Sequence, residues 1–230
     1  MRTALLQLTS SDDPRTNARD VATMVRQAAG DGAQFVLTPE VTNCVSLNRA
    51  HQRAVLTLEQ DDVTLATLRE VAAETGIHLL IGSLALQTGD ADGRFANRSF
   101  LLGPTGDILA HYDKIHMFDV AISEGEIFRE SSGYRPGAQA VVAQTPFATI
   151  GMAVCYDMRF PLLANALMDA GADVLTYPSA FSPTTGAAHW HSLLRARAIE
   201  AGAWVLAPAQ TGRHPHSSGR QRHTYGHSLA

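Results

Sequence analysis

The chain predicts an α/β fold of two packed sheets with helices on the outside. Three observations carry this. Short apolar, β-prone runs alternate with segments of helical period along 230 residues. The connections are of two kinds, helical crossovers and a tight Pro104-Thr105-Gly106 turn that reads as a hairpin, and that mixture suits two sheets packed face to face. Three apolar runs also end at a chemically active residue, Glu40, Lys114 or Cys155. Open α/β sheets bind ligands beyond the carboxyl ends of their strands, so these three side chains could converge.

The elements follow in order. Thr3 to Leu8 reads as a buried strand. Asp13-Pro14 supplies an N-cap and a first-turn proline, Ala18, Val21, Ala22 and Val25 form one apolar face, and Gly30 ends the helix. Phe35–Leu37 is a short strand leading to Glu40. Leu65, Leu68, Val71 and Ala72 mark a second helix, stopped at Gly76. Ile77–Leu84 and Arg98–Leu102 are strands, and the turn after them opens the strand before Lys114. His116 to about Gln139 reads as an irregular loop, a length that in a compact domain points to function. The Cys155 strand follows, then a helix from about Pro161 to Ala170, the strand Val174–Tyr177, a loop holding Ser179 to Gly186, a helix from about Ala187 to Ala201, and the strand Trp204–Ala207. His214 to Arg222 is polar and loop-like. The chain stops at an apparent strand beginning, Tyr225-Gly226-His227-Ser228-Leu229-Ala230.

Composition excludes several classes. Hydrophobic content of 45% and charged content of 17% fit a globular protein with a sizeable core, and a formal charge of -4 does not suit nucleic acid as the main partner. No apolar stretch approaches the roughly 20 residues that span a bilayer. Two cysteines, Cys44 and Cys155, make neither a disulfide framework nor a CxxC pair. Free thiols without an N-terminal secretory pattern point to a reducing cytoplasm. His189-Trp190-His191 and His214-Pro215-His216 look like ligand pairs, but zinc needs three or four converging ligands. No metal and no cofactor is expected.

Cys155 carries the sharpest signal. It stands where an apolar strand gives way to a helical pattern, in Val154-Cys155-Tyr156-Asp157-Met158-Arg159-Phe160-Pro161. Unpaired N–H groups at a helix N-terminus favour a thiolate, so Cys155 is expected to be an activated nucleophile. Cys44 lacks such a context and reads as structural.

Thr38-Pro39-Glu40, Tyr112-Asp113-Lys114-Ile115-His116 and the Cys155 segment, in this order and spacing, together resemble the nitrilase superfamily of carbon–nitrogen hydrolases. Tyr177-Pro178-Ser179-Ala180-Phe181, Leu194-Arg195-Ala196-Arg197-Ala198-Ile199-Glu200 and Tyr225-Gly226-His227-Ser228 are most similar to its Nit branch, the group of deaminated glutathione amidases, with the ω-amidases somewhat further away. The resemblance implies a four-layer αββα sandwich over residues 1–230, pairing into homodimers, and hydrolysis of a small carboxylate-bearing amide by water through a thioester. It also implies that the usual domain continues past Ser228, so a C-terminal strand and tail would be lacking, and that an acidic residue often stands where Leu162 is.

An amide is a poor electrophile with a poor leaving group, so its hydrolysis needs a nucleophile, a proton shuttle and an oxyanion stabiliser. In this resemblance Cys155 attacks, Glu40 moves the protons, and Lys114 with the Tyr156 backbone N–H faces the oxyanion. Glu130, before Pro136-Gly137, matches the family's auxiliary loop carboxylate, with Glu124 and Glu126 as alternatives. Phe181 and His189 are expected to line the substrate pocket. His191 should be solvated, Arg195 and Arg197 ion-paired, Arg159 paired with Asp157, and Arg220-Gln221-Arg222 a solvated charge run. Gly151 reads as a site of close strand packing. Alternatives are an ω-amidase acting on α-ketoglutaramate or succinamate, a nitrilase, an N-carbamoyl hydrolase, a Cys–His hydrolase, and a binding protein that kept the fold without turnover.

Overall fold

The central strands of the first sheet bury both faces, and the two faces belong to different apolar clusters. The structure, a computed structural model, describes residues 1–124 and 126–230. Strands β1 (Thr3–Leu5), β2 (Phe35–Leu37), β3 (His78–Gln87), β4 (Phe95–Leu102) and β5 (Ile108–Asp113) form one sheet in that order. β1, β2 and β3 are parallel, and β3, β4 and β5 are antiparallel. Val36, Leu79, Ile81, Phe100 and Leu102 point to an outer cluster, while Phe35, Leu37, Leu80 and Leu101 point to an inner one. This is the period of two expected of a pleated strand.

The outer cluster is closed by helix α1 (Pro14–Gly30) and, after a short α2 (Arg49–Val55), by α3 (Val63–Thr75). The Asp13 side chain caps α1 by accepting from Arg15 N at 2.9 Å, and Asp62 caps α3 through Leu65 N at 2.8 Å. Gly76, at φ +67°, ends α3 in the left-handed conformation that glycine adopts without steric penalty. Hairpin β6 (Asp119–Ser123) and β7 (Glu126–Arg129) precedes the second sheet, which contains β8 (Val141–Gln144), β9 (Thr149–Met152), β10 (Val174–Thr176) and β11 (Trp204–Leu206) in the order β11-β10-β9-β8. Helices α4 (Pro161–Asp169) and α5 (Pro183–Ala201) lie on it through Leu163, Leu167, Trp190 and Leu194, in the same cluster that holds Phe35 and Leu101. The inner faces of the sheets therefore meet, and the layers are αββα.

Two expectations are corrected, and further elements come into view. The stretch from His116 to Gln139 is no irregular loop, since Asp119 pairs with Arg129 and Val120 with Phe128. Its signal, alternate half-burial along β6, is too short for periodicity to separate from a loop. Helix α2, capped by Asn48 accepting from His51 N at 3.1 Å, and strand β8 carry too little apolar pattern to be read. Helix α5 starts at Pro183 rather than Ala187, with proline in its first turn. The last segment pairs as β12 (Thr211–Arg213) with β13 (His223–Tyr225), and Leu229 bridges Ala207. No helix among the described residues is long and apolar enough to cross a membrane.

Candidate active site

Glu40, Lys114 and Cys155 come from three places in the chain and meet at the ends of β2, β5 and β9. Lys114 Nζ donates to Glu40 Oε1 at 2.9 Å and to both oxygens of Glu130 at 3.0 and 2.9 Å. The Cys155 thiol sits beside Glu40, and each shifts the other's titration. All three line a cavity of about 210 Å³, together with Tyr156 and Phe181. That volume lies below the roughly 300–1,000 Å³ usual for drug-sized ligands and suits a small substrate.

Local structure fixes each side chain. Glu40 Oε2 accepts from Ala180 N at 2.8 Å, and Asn97 Nδ2 bonds Glu40 Oε1 at 2.9 Å and Glu130 Oε1 at 3.4 Å. Glu130 Oε2 also accepts from Phe118 N at 2.6 Å. Gly137 donates to Lys114 O at 2.8 Å, and a Cβ there would lie 2.1 Å from Asp113 O. The Pro136-Gly137 signal thus marks a glycine that lets this loop close on the end of β5. Cys155 (φ +49°) and Val41 (φ +48°), next to Glu40, are held in the left-handed region, at a cost of about 1–3 kcal/mol each. Cys155 N–H bonds Pro178 O at 3.0 Å and Val41 N–H bonds Ser83 Oγ at 2.8 Å, which ties down both strained residues.

The charges settle into a definite resting state. Burial alone would raise the Glu40 carboxyl, yet the charge and hydrogen bond of Lys114, then Arg222, bring it below its ordinary value. Burial alone would depress Lys114, but Glu130 and Glu40 drive it well above its usual range. Burial first, then the Glu40 charge, pushes the Cys155 thiol up. The site therefore holds a carboxylate, an ammonium and a neutral thiol. This corrects the expectation of a resting thiolate: Cys155 opens only a five-residue 3-10 turn, whose dipole is outweighed by burial and an adjacent anion. The Tyr156 N–H, second in that turn, has no acceptor among the described residues.

Other expected residues go elsewhere. His189 is exposed on α5 and its Nδ1 lies 3.1 Å from Arg159 Nη2, away from the cavity lining, so it is not brought to the site. His191, not His189, is the half-buried one, packed against Tyr225 and His227. Arg159 does not pair with Asp157; its guanidinium covers the rings of Tyr156 and Phe181. Asp157 instead accepts from Tyr112 Oη at 2.8 Å, Val154 N at 2.8 Å and His116 N at 3.0 Å, which shapes the turn carrying Cys155. Arg197 pairs with Glu200, while Arg195 makes no ion pair among the described residues. Gly151 packs against Leu175, Ala172 and Leu167. Glu126 bonds Ser182 Oγ and Thr184 Oγ1, both at 3.1 Å, and Glu124 is exposed. Cys44, buried, also lines the cavity, and burial, then Asp12, pushes its thiol up to about 12. Among the described residues no cluster of three His, Cys, Asp or Glu side chains is placed to hold a metal.

Sequence reasoning missed Asn97, Arg49 and Arg222. Asn97 left a trace, a polar residue inside the strand run Phe95-Ala96-Asn97-Arg98-Ser99-Phe100. Arg222 was assigned to solvent but is half-buried at the cavity wall.

With this geometry, the chain belongs to the carbon–nitrogen hydrolase family, whose model matches residues 2–230. It is accordingly an enzyme of carbon–nitrogen bond hydrolysis that acts on amides. It is 41% identical over 229 residues to the deaminated glutathione amidase of Yersinia enterocolitica, covering 99% of this chain and 78% of that protein. It superimposes on the Caenorhabditis elegans NitFhit protein with a TM-score of 0.86 at 32% identity, spanning all of this chain and 56% of that one. An amidase from Nesterenkonia sp. AN1, solved as a mutant with acrylamide added at its active-site cysteine, is 25% identical with a TM-score of 0.77, over 93% of this chain and 80% of that one.

Proposed function

We propose that this chain hydrolyses the amide C–N bond of a small carboxylate-bearing amide of the deaminated glutathione type. The observation that carries the reading is the Lys114 ammonium held between Glu40 and Glu130, with the Cys155 thiol beside Glu40. Glu40, ionised at rest, takes the thiol proton as the sulfur attacks the amide carbonyl carbon. The oxyanion forms toward Lys114 and the Tyr156 N–H. Collapse breaks the C–N bond, and the proton passes from Glu40 to the leaving amine, or to ammonia where the amide is primary. A thioester remains. Glu40 then deprotonates water, which attacks the acyl carbon and frees the carboxylate product and the thiol. Glu130 keeps Lys114 charged and in place. The names of the relatives support the substrate class.

The test is release of the amine product from deaminated glutathione, and of ammonia from α-ketoglutaramate and succinamate, with acid-quenched protein weighed for an acyl adduct. The adduct and the released amine or ammonia should both disappear in Cys155→Ala. Hydrolysis persisting in that variant would end the thioester reading. Preference for α-ketoglutaramate or succinamate would shift the substrate to that of an ω-amidase.

A further inference from the structure

The charged residues lining the catalytic cavity are two acids, Glu40 and Glu130, and four bases, Lys114, Arg49, Arg129 and Arg222. Lys114 is consumed by the two acids. The cavity therefore has an excess of positive charge that the hydrolytic steps do not use. Arg49 and Arg222 make no ion pair with a carboxylate among the described residues, in contrast to Arg26, Arg94, Arg98, Arg135 and Arg197. Both are nevertheless fixed. Arg222 Nη2 donates to Ala180 O at 2.8 Å, in the same residue whose N–H holds Glu40. Arg49 Nη1 donates to the buried Gln52 Oε1 at 2.9 Å, and its guanidinium lies 4.8 Å from the centre of the Tyr134 ring. Both line the same cavity, together with Tyr134.

We propose that Arg49 and Arg222 form a two-guanidinium clamp that selects amides carrying carboxylates at the end remote from the scissile bond. Their forks leave donors free, and guanidinium matches carboxylate geometry. Arg129 stands exposed at the cavity mouth and adds attraction without a fixed contact. The ligand class is a small dicarboxylate or an amide of one. This rests on the amide-hydrolase reading above, and the test separates the two.

Glutaramate, with one carboxylate, is compared with valeramide, of equal carbon number and no charge. The ratio of their kcat/KM values should fall about 10–100-fold in Arg222→Gln and in Arg49→Gln, the loss typical of one charge-assisted contact. Arg222→Lys and Arg49→Lys should recover part of it, which distinguishes lost recognition from lost folding. Glutarate binding to Cys155→Ala, measured by calorimetry, should weaken by a similar factor when either arginine is also replaced by Gln. An unchanged ratio, within about twofold, with unchanged glutarate binding would overturn the clamp and leave hydrolysis intact. Arginine-dependent glutarate binding by a protein that hydrolyses neither amide would uphold the clamp and sink the hydrolytic reading.

Discussion

Glu40 is the residue on which the proton inventory turns. It stays ionised although buried, because Lys114 faces it, and its charge is one reason the Cys155 thiol stays protonated. If Glu40 and Cys155 act as the proposed base and nucleophile, one substitution should move turnover and thiol acidity in opposite senses. In Glu40→Gln, turnover should drop by about 10²–10⁴, the usual worth of a general base. The same change removes the anion that holds the thiol up and leaves Lys114, so the pH midpoint for iodoacetamide alkylation of Cys155 should move down. An alkylation profile that stays put or moves up would refute this assignment. Legibility here was partial. The three residue types stood out at strand ends, but Asn97, which donates to both carboxylates, was recognisable only as a polar interruption of a strand.

Among the elements, β3 bears the tightest constraint near the site. The β3–β4 register shifts between Ile81 and Leu84, and Gly82 sits at that irregularity. A Cβ on Gly82 would lie 2.0 Å from Thr38 O and 2.5 Å from both Pro39 O and the Pro178 Cβ. The missing side chain lets the turn carrying Glu40 and the one following β10 approach the same strand. Gly82→Ala should destabilise the fold by about 1–3 kcal/mol, as overpacking does, and lower kcat by displacing Glu40. Urea denaturation and turnover check both; a variant matching the parent in each would show that the backbone yields freely. Periodicity revealed the long apolar elements β3, α1 and α3. It missed α2, β8 and the β6–β7 hairpin, whose few residues hold too short a pattern.

Across the molecule, distant segments are tied by buried polar contacts. Tyr112 on the first sheet bonds Asp157 in the turn after β9 of the second, and His214 joins the two ends of the chain. Its Nδ1 donates to Ser10 O at 2.8 Å, and its Nε2 lies 2.7 Å from Thr224 Oγ1, a hydroxyl able to donate to the neutral ring. Burial, with Arg222 and His223 nearby, lowers its pKa from 6.5 to about 4 despite the Ser10 bond. A depressed histidine pKa means that the unfolded chain binds the proton more readily. Stability should therefore fall as pH drops from about 6.5 to about 4 and level off below. The loss from this group is about 3 kcal/mol. Urea denaturation at pH 7 and pH 4 should show a steeper decline in the parent than in His214→Gln; equal declines would remove His214 from the account.

Residue order alone established the alternation of strands and helices, the α/β class and the reactive residues at strand ends, because side-chain period and chain punctuation are local properties. Spatial assembly determined which loop carboxylate reaches Lys114, that the thiol rests protonated, that His189 faces solvent and that Arg222 faces the cavity. Those outcomes depend on burial and on Coulomb interactions between groups as far apart in the chain as Glu40 and Arg222, and such distances have no trace in local spacing.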